Sequence, residues 1–555
     1  MSIKKITSVS VIALGLVLGA CGGGGGGSST PIATAVTPPP PPPPVSTAPT
    51  FTQGSFAPRE NFVDQCEAPR SGSDANGNIF PDGAGSELTE KFWLRSWSDE
   101  TYLWNDEIID TDPNDTAGRV PYFNILVTNE LSETGSGREK DDFHFSQNTE
   151  EFLEQQNSVA SSGYGLRLAF INSAAPNRDI RVLYTEPNSP ASATQNGVVN
   201  FPRGSRLIAI DGEDVLNGDD VDTLNNGLFP AFAGEAHTFT LRDVGAVTDR
   251  TVTVTSADVA TAPVNRTEII NTPTGKVGYM LFNTFSPFES ERSLNDAFTI
   301  LEDEEIDDLV LDLRYNGGGL VAVAAQLGFM IAGPDRTEGR VASLLQYNDA
   351  AGNTNPITGE VVQPFPFIDE GVGFSVNAGT DLATVDLPRV FILSTEGTCS
   401  ASELVINSLL GIGFEVVLIG DTTCGKPYGF LPTDNCGQTY FTIQFRSVND
   451  VGFGDYSDGF SPQDSTNQFS VNTTGCTVAD DLSSELGDPE EALLSTALFY
   501  RENGSCPVNQ ASTKASPPVN YTKIVNPAGT IGALNSESDP FETNVNSFLD
   551  ATMPQ

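Results

Sequence analysis

A serine and a lysine are the strongest candidates in this chain for catalytic residues, because of the residues around them. Ser400 stands between a buried-strand pattern at 390–393 and an apolar helical pattern. A serine in that place lies at a helix N-terminus, where free N–H groups and the helix dipole stabilise an anion. Lys426 follows the next predicted buried strand, 415–420. The structural alternative is a capping box formed by Ser400 and Glu403.

The scarcity of histidine favours the serine and the lysine as partners. The chain has two histidines, His144 and His237, so a Ser-His-Asp site has few candidates for its base. A serine can instead be activated by a neutral lysine that is buried away from carboxylates. The formal charge of −45 opposes loss of the lysine proton, but Lys426 is the one charged residue in 422–430. The sequence therefore predicts a Ser400–Lys426 dyad, although alone Lys426 would be interpreted as a surface lysine.

The motif around the serine resembles that of the carboxyl-terminal processing proteases, peptidase family S41. It reads Thr-Cys-Ser-Ala-Ser-Glu at 398–403, with Gly-Lys after the next strand. The resemblance implies that Ser400 is the nucleophile and Lys426 the general base. Two departures concern the lysine: the segment before it is one residue longer than usual, and residue 430 is phenylalanine where the family often has an orienting glutamine. Candidates for that orienting role are Thr422, Tyr428 and Gln444.

A glycine-rich stretch upstream agrees with this resemblance. Residues 307–320 resemble the family strand that ends in Asp-Leu-Arg-x-Asn-x-Gly-Gly-Leu. In the family a glycine amide there supplies one oxyanion-hole donor, which maps to Gly318, and the amide after the nucleophile, here Ala401, supplies the other. Taken alone, three consecutive glycines after a strand would indicate only a tight turn.

The segment 157–258 is predicted to contain short strands and one helix. Its loop Gly163, Tyr164, Gly165, Leu166 and the strands that follow resemble a PDZ domain. In such a domain the loop amides bind the terminal carboxylate of a peptide, and the next strand accepts the peptide as an added strand. The resemblance implies protein or peptide partners with free C-termini, whereas the loop alone would be interpreted as a turn.

The rest of the fold follows from the alternation of elements. Strand and helix patterns alternate in the peptidase core, 265–510, which predicts an α/β fold; the family resemblance implies a crotonase-like core. The PDZ-like, mainly β domain is inserted before it. The segment 51–156 is predicted to be mainly helical, with His144 in a structural role, and 511–555 is predicted to form a C-terminal tail.

The N-terminus predicts export and lipidation. Residues 1–20 combine a basic start with an apolar stretch that is too short to span a bilayer, as in a signal peptide. Positions 18–21 read Leu-Gly-Ala-Cys, a lipobox pattern that predicts lipidation of Cys21. The glycines and prolines of 21–50 predict a tether without a fold. Residue 22 is not the aspartate of inner-membrane retention, so the expected location is extracytoplasmic, at the outer membrane facing the periplasm.

Charge and cysteine content limit the partners. The acidic surface repels nucleic acid, and no cofactor or metal is predicted, because neither a Cys-x-x-Cys pattern nor a nearby histidine supports a metal site. After Cys21, six cysteines remain, and an even number in an exported chain predicts disulfides with fifteen possible pairings. Spacing favours Cys424 with Cys436 and Cys476 with Cys506, which leaves Cys66 with Cys399.

Two functions follow from these observations. The first is a membrane-tethered serine endopeptidase that hydrolyses extracytoplasmic proteins, with a PDZ domain that recognises substrate C-termini. The alternative is a catalytically inert PDZ scaffold or binding lipoprotein, because the surroundings of the lysine depart from the family pattern.

Overall fold

A computed structural model describes residues 48–74, 77–157, 160–172, 175–508 and 523–525. The predicted signal peptide, the lipidation site Cys21 and most of the tether therefore lie outside the described residues. Within the described part, no helix combines the length and apolar character that crossing a bilayer requires. The chain is a mixed α/β protein, as the sequence predicted.

The N-terminal region, 48–157, has fewer helices than the sequence predicted. Its elements are β1 (Gln65–Cys66), β2 (Gly83–Ala84), α1 (Glu87–Thr101), α2 (Arg119–Phe123), β3 (Phe145–Asn148) and α3 (Thr149–Asn157). The prediction of a mainly helical region is therefore wrong. Aromatic residues at helical spacing indicate a helix only in stretches that turn-forming residues do not interrupt. Helix α1 begins at the N-cap Ser86, whose hydroxyl accepts the Thr89 amide at 3.2 Å.

The next region contains the predicted strands and single helix. Its elements are β4 (Ala160–Gly163), β5 (Leu166–Asn172), β6 (Asp179–Thr185), β7 (Thr194–Gln195), β8 (Val198–Val199), β9 (Arg206–Ile210), β10 (Glu213–Asp214), α4 (Val221–Leu228), β11 (Ala236–Arg242), β12 (Arg250–Thr255) and β13 (Ala257–Ala260). The main sheet runs in the order β12, β11, β9, β6, β5. Its core side packs on helix α4 through buried apolar residues that include Leu168, Phe170 and Leu224.

The third region carries a largely parallel sheet with helical crossovers. Its first elements are β14 (Val264–Thr272), β15 (Gly275–Phe282), α5 (Glu289–Asp303), β16 (Asp308–Asp312), α6 (Val321–Ala332), α7 (Pro334–Thr337), β17 (Val341–Gln346), β18 (Phe365–Pro366), β19 (Arg389–Ser394), α8 (Ala401–Gly411) and β20 (Glu415–Gly420). The remaining elements are β21 (Tyr428–Gly429), β22 (Thr433–Asn435), β23 (Gln438–Phe441), β24 (Phe445–Val448), β25 (Phe460–Pro462), β26 (Val471–Thr473), β27 (Gly475–Thr477), α9 (Ala492–Asn503) and β28 (Lys523–Val525).

This sheet runs in the order β14, β15, β16, β19, β20, β27, and all neighbours except β14 and β15 are parallel. Strand β16 is buried at every position, and the next two strands of the sheet, β19 and β20, are buried except at their first residues. Near-continuous apolar strands are expected where helices or a second layer cover both faces of a parallel sheet. One face packs on α5, α6 and α8, and the other packs on α9 and on outward-facing residues of β5 and β6.

Three disulfides join distant parts of the chain: Cys66–Cys436, Cys399–Cys424 and Cys476–Cys506. The predicted Cys476–Cys506 pairing is confirmed. The predicted pairing of Cys424 with Cys436, and of Cys66 with Cys399, is wrong. The error has a physical cause, because the fold brings the N-terminal region onto the hairpin β22–β23 and sets the two loops after β19 and β20 side by side.

Candidate active site

The candidate catalytic residues lie in loops at one edge of the parallel sheet. The loops follow β16, β19 and β20, and they carry Gly318, Ser400 and Lys426 respectively. Parallel strands present their carboxyl ends at the same edge, which is where sites form in open α/β sheets. The sheet topology therefore explains why residues more than a hundred positions apart in sequence meet.

Ser400 occupies a sharp turn between β19 and α8. It is the N-cap residue of α8, with φ of 55° and ψ of −112°, a backbone conformation that non-glycine residues rarely adopt. The residue is 8% exposed. Such a conformation costs on the order of 1–3 kcal/mol and persists where the surrounding structure imposes it, which is common at active sites.

Asn316 ties the glycine-rich segment to this turn. Its backbone carbonyl accepts the Cys399 amide at 3.0 Å and the Ser402 hydroxyl at 2.9 Å. Its side-chain amide donates to the carbonyl of Phe282 at 2.9 Å, and its Oδ1 accepts the Gly318 amide at 3.0 Å. The first oxyanion-hole donor predicted from the sequence therefore donates to Asn316 in this structure.

Gly318 lies directly against the turn that contains Ser400. Its φ is 107°, and a Cβ at this position would lie 2.8 Å from the Ser400 Cβ and 3.0 Å from the Ala401 amide nitrogen. Ala401 is the first residue of α8, so its amide is among those with no acceptor inside the helix. Only glycine satisfies both the backbone conformation and the close approach.

A buried ion network holds the start of the glycine-rich segment. Arg314, which is 0% exposed, donates to Asp312 Oδ1 at 2.9 Å and to Glu491 Oε1 at 2.7 Å. The other carboxylate oxygen of Glu491 accepts the Leu494 amide at 2.9 Å at the start of α9. The network fixes the end of β16 relative to α9, and the sequence analysis did not identify it.

Glu403 connects the loop of the serine with the loop of the lysine. Its Oε2 accepts the Ser400 amide at 3.1 Å and the Lys426 amide at 2.8 Å. Its Oε1 accepts the Gly425 amide at 2.8 Å and also bonds the Thr423 hydroxyl. Burial raises the pKa of the Glu403 carboxyl, and the hydrogen bonds it accepts act in the opposite direction. The carboxylate therefore caps the helix, as its motif indicated, and also positions the backbone of Lys426.

The side chain of Lys426 enters an aromatic pocket. The residue is 2% exposed, and its Nζ lies 4.4 Å from the ring centroid of Phe143 and 4.6 Å from that of Phe430. Phe430 is the residue that replaces the expected glutamine. Of the side chains considered for orienting the lysine, Gln444 accepts the Leu431 amide at 2.7 Å, and the hydroxyl of Thr422 lies 2.7 Å from that of Ser461.

The disulfide Cys399–Cys424 fastens the two loops next to the site. Cys399 immediately precedes Ser400, and Cys424 lies two residues before Lys426. The amide of Cys424 also donates to the carbonyl of Thr398 at 3.1 Å. The serine turn and the lysine loop are therefore joined covalently, by hydrogen bonds and through Glu403.

The N-terminal region completes the surroundings of the lysine. Burial raises the pKa of Asp141 to about 6, and the charge of Lys426 acts to lower it. This carboxylate accepts the Tyr102 hydroxyl and the Phe143 amide, each at 2.8 Å. Burial lowers the pKa of His144 to about 4, and its ring nitrogens lie 3.0 Å from the Thr442 hydroxyl and from the Phe123 carbonyl. These contacts agree with the predicted structural role of His144.

A cleft of about 980 Å³ opens beside the lysine loop. Gly425, Pro427 and Phe143 line it near Lys426, and Trp104 and Arg446 line it farther away. The cleft adjoins the aromatic pocket through Phe143, so an extended peptide in it would lie close to the lysine side of the site.

The loop Gly163, Tyr164, Gly165, Leu166 connects β4 to β5, and it is far in sequence from the three loops that carry Gly318, Ser400 and Lys426. Tyr164 is buried, with its ring centroid 5.3 Å from that of Phe239, so its side chain belongs to the domain core. Gly165 has a φ of 74°, and a Cβ there would lie 2.4 Å from the Ser189 Cβ. The loop therefore requires glycine at this position.

Among the described residues, two clusters have the composition of a metal site. They are Cys66, Glu90 and Cys436, and Cys399, Glu403 and Cys424. In each cluster the two cysteines form a disulfide with one another. Metals bind the thiolate form of cysteine, so these clusters do not supply the sulfur ligands of a metal centre.

Three residues of the site were not identified from the sequence in the roles they have here: Glu403 as the link between the loops, Phe143 against the lysine, and Asp141, whose pKa the charge of Lys426 lowers. Glu403 carried a signal, since a buried carboxylate in a capping box has a free oxygen for a second partner. Phe143 and Asp141 come from a region that is far from Lys426 in sequence.

Comparisons with known proteins found three kinds of similarity. Residues 276–434, a range that contains Gly318, Ser400 and Lys426, match the model of peptidase family S41. The chain is 27% identical over 278 residues to carboxyl-terminal-processing peptidase 3, chloroplastic, of Arabidopsis thaliana, covering 48% of this chain and 45% of that protein. It is 26% identical over 282 residues to the carboxyl-terminal-processing protease of a Picosynechococcus species, covering 49% and 56%.

The chain spans about half the length of the curated relatives it matches. A crystal structure described as an S41 protease of Bacteroides fragilis has the same fold, with a TM-score of 0.54 and 22% identity, covering 74% of this chain and 97% of that one. The chain is therefore similar to peptidase family S41 over residues 276–434 and to two carboxyl-terminal-processing proteases over about half its length, and it shares its fold with one solved structure.

Proposed function

We propose that the chain is a serine peptidase in which Ser400 is the nucleophile and Lys426 is the general base. The observation that carries the proposal is the position of Glu403, whose Oε2 accepts the backbone amides of both residues. The curated relatives are named carboxyl-terminal-processing proteases, which supports peptide-bond hydrolysis as the reaction.

The acylation step uses the neutral form of Lys426. Its amine takes the proton from the Ser400 hydroxyl as Oγ bonds to the peptide carbonyl carbon. The protonated amine then donates that proton to the departing peptide nitrogen as the C–N bond breaks. The low exposure of Lys426 and the rings of Phe143 and Phe430 keep water from the amine. Water, deprotonated by the same amine, then hydrolyses the acyl-enzyme and restores Ser400.

Backbone amides stabilise the oxyanion in this mechanism. The Ala401 amide at the start of α8 is one donor, supported by the helix dipole. The Gly318 amide is the second, and it exchanges Asn316 Oδ1 for the oxyanion when substrate binds. Removal of one such donor typically costs about 2.7–4 kcal/mol of transition-state stabilisation.

We assign substrate recognition to the PDZ-like domain, 157–258. The loop Gly163–Leu166 would bind the terminal carboxylate of a substrate, and β5 would accept its last residues as an added strand. The supporting observation is that a glycine loop leads directly into β5, which pairs with β6 on one side and with β28 (Lys523–Val525) on the other. With the predicted lipidation of Cys21, the substrates would be extracytoplasmic proteins reached by a tethered enzyme at the outer membrane.

The experiment compares Ser400→Ala, Lys426→Ala and the parent protein on casein and on peptides with free C-termini. Both variants should lose cleavage at least a thousandfold. Lys276→Ala is the matched control. Lys276 lies at the start of β15, and its partly exposed side chain forms an ion pair with Glu304. Cleavage that survives both substitutions contradicts the mechanism, and a folded parent that binds tailed peptides without cleaving them supports the scaffold function.

A further inference from the structure

The end of the PDZ-like sheet is occupied by a segment of the chain's own tail. Strand β28, Lys523–Val525, pairs antiparallel with β5, which is otherwise the last strand of this sheet among the described residues. The other neighbour of β5 is β6. An edge strand presents a row of free N–H and C=O groups that can pair with any extended segment. The tail segment uses the edge that the proposed function assigns to substrates.

The direction of the tail segment is that of a bound peptide. Lys523 lies opposite Phe170 and Val525 opposite Leu168, so the segment runs toward Leu166 and the glycine loop. A peptide that adds to β5 with its carboxylate in that loop must run in the same direction.

The occupied strand is also close to the catalytic core. Ala169 of β5 packs in the cluster that contains Leu281 and Val310 of the parallel sheet. The ring of Tyr184 on β6 stacks on that of Tyr315 with centroids 5.8 Å apart, and Tyr315 lies in the glycine-rich segment. A segment added to β5 therefore contacts a sheet that packs directly beside the glycine-rich loop.

We propose that Lys523–Val525 is an internal ligand that competes with substrate tails for the edge of β5. The inference rests on the proposed function, because it assumes that substrates add to this edge. A tethered segment acts at an effective concentration on the order of 1 mM. A segment with a Kd of about 0.1 mM then fills the edge in about nine molecules of ten, and its release strengthens binding of an outside peptide about tenfold.

The test uses the full chain with Ser400→Ala, so that binding is measured without cleavage. The probe is a fluorescein-labelled synthetic peptide of residues 519–525, titrated by fluorescence anisotropy. Ile524→Pro and Val525→Pro are made separately, because consecutive amides of a strand point to opposite sides and one of the two donates toward β5. Ala533→Pro, outside the strand, is the control.

At least one of the two proline variants should bind the probe about tenfold more tightly than the parent, and Ala533→Pro should not. Hydrogen exchange over Leu166–Asn172 should be faster in the same variant. Unchanged affinity and exchange in both variants overturn the pairing. Faster exchange without tighter binding overturns the competition. Both readouts are independent of catalysis, so a failure of the peptidase proposal would appear separately, as a parent protein that does not cleave.

Discussion

Removing the disulfide beside the candidate active site, and comparing it with removal of a second disulfide elsewhere, distinguishes an effect on stability from an effect on catalysis. The double variant Cys399→Ser/Cys424→Ser removes the covalent link between the serine turn and the lysine loop. The double variant Cys476→Ser/Cys506→Ser removes a link of similar length that joins β27 to the segment after α9. We expect both variants to lose similar stability, and only the first to lose activity.

The expected loss of unfolding free energy follows from the number of residues between the two cysteines of each disulfide. The separations are 25 and 30 residues. The loop-closure estimate gives about 3.5 kcal/mol for the first disulfide and about 3.6 kcal/mol for the second. Proteins are commonly stable by about 5–15 kcal/mol, so each variant should retain a folded population on which activity can be measured.

The expected loss of kcat follows from the position of the Cys399–Cys424 disulfide. Cys399 adjoins Ser400, and Cys424 lies two residues before Lys426. A displacement of about 1 Å between reacting groups can lower the rate about a hundredfold. The Glu403 hydrogen bonds remain in the variant, so we expect a loss in kcat between about tenfold and a hundredfold, with KM changed less.

The assay combines urea unfolding with steady-state cleavage of a fluorogenic peptide, with kcat corrected for the folded fraction. Equal losses of kcat in the two double variants would contradict a positioning role for the Cys399–Cys424 disulfide. A Cys399→Ser/Cys424→Ser variant that keeps the parent kcat while losing the expected unfolding free energy would contradict it as well.

Three further substitutions test the site. Gly318→Ala places a Cβ 2.8 Å from that of Ser400 and should lower kcat about a hundredfold; Gly212→Ala, which also has positive φ but open space, should retain activity. Glu403→Gln keeps one side-chain oxygen and leaves at least one of the three buried amides without an acceptor, so it should lower the unfolding free energy by about 1–3 kcal/mol. Because the pKa of Asp141 is raised to about 6, its contribution to stability is full below its ordinary value of 3.8 and is lost as pH rises through 6. Asp141→Asn lacks this contribution. As pH falls from 7 to 4, the unfolding free energy of the parent should therefore gain up to about 3 kcal/mol over that of Asp141→Asn, measured by urea titration. Equal pH slopes of the two proteins would contradict the raised pKa of Asp141.

Local patterns in the sequence predicted the catalytic edge well. The strand Glu415–Gly420 and the helix Ala401–Gly411 lie where their apolar periodicity placed them. These elements are buried, so hydrophobic pattern dominates their sequence. Their order along the chain was enough to bring the loops with Ser400 and Lys426 to one edge of a parallel sheet.

Long-range contacts were not predictable in the same way. The pairing of Cys66 with Cys436 spans 370 residues, and no spacing rule encodes it. Phe143 lies against the lysine, and the strand β3 that follows it pairs with the distant strand β23. The identities of Ser400 and Lys426 indicated the type of chemistry. The residues that surround them depend on how separate regions of the chain pack together, which the sequence does not give.

The most direct test of the mechanism is capture of the acyl-enzyme. The parent protein is mixed with a short peptide p-nitrophenyl ester, quenched in acid and digested for mass spectrometry. We predict the mass of the peptide acyl group on Ser400 in the parent and its loss, with the nitrophenol burst, in Lys426→Ala. An acyl group on another residue, or an undiminished burst without Lys426, would contradict the assignment of these two residues as nucleophile and base.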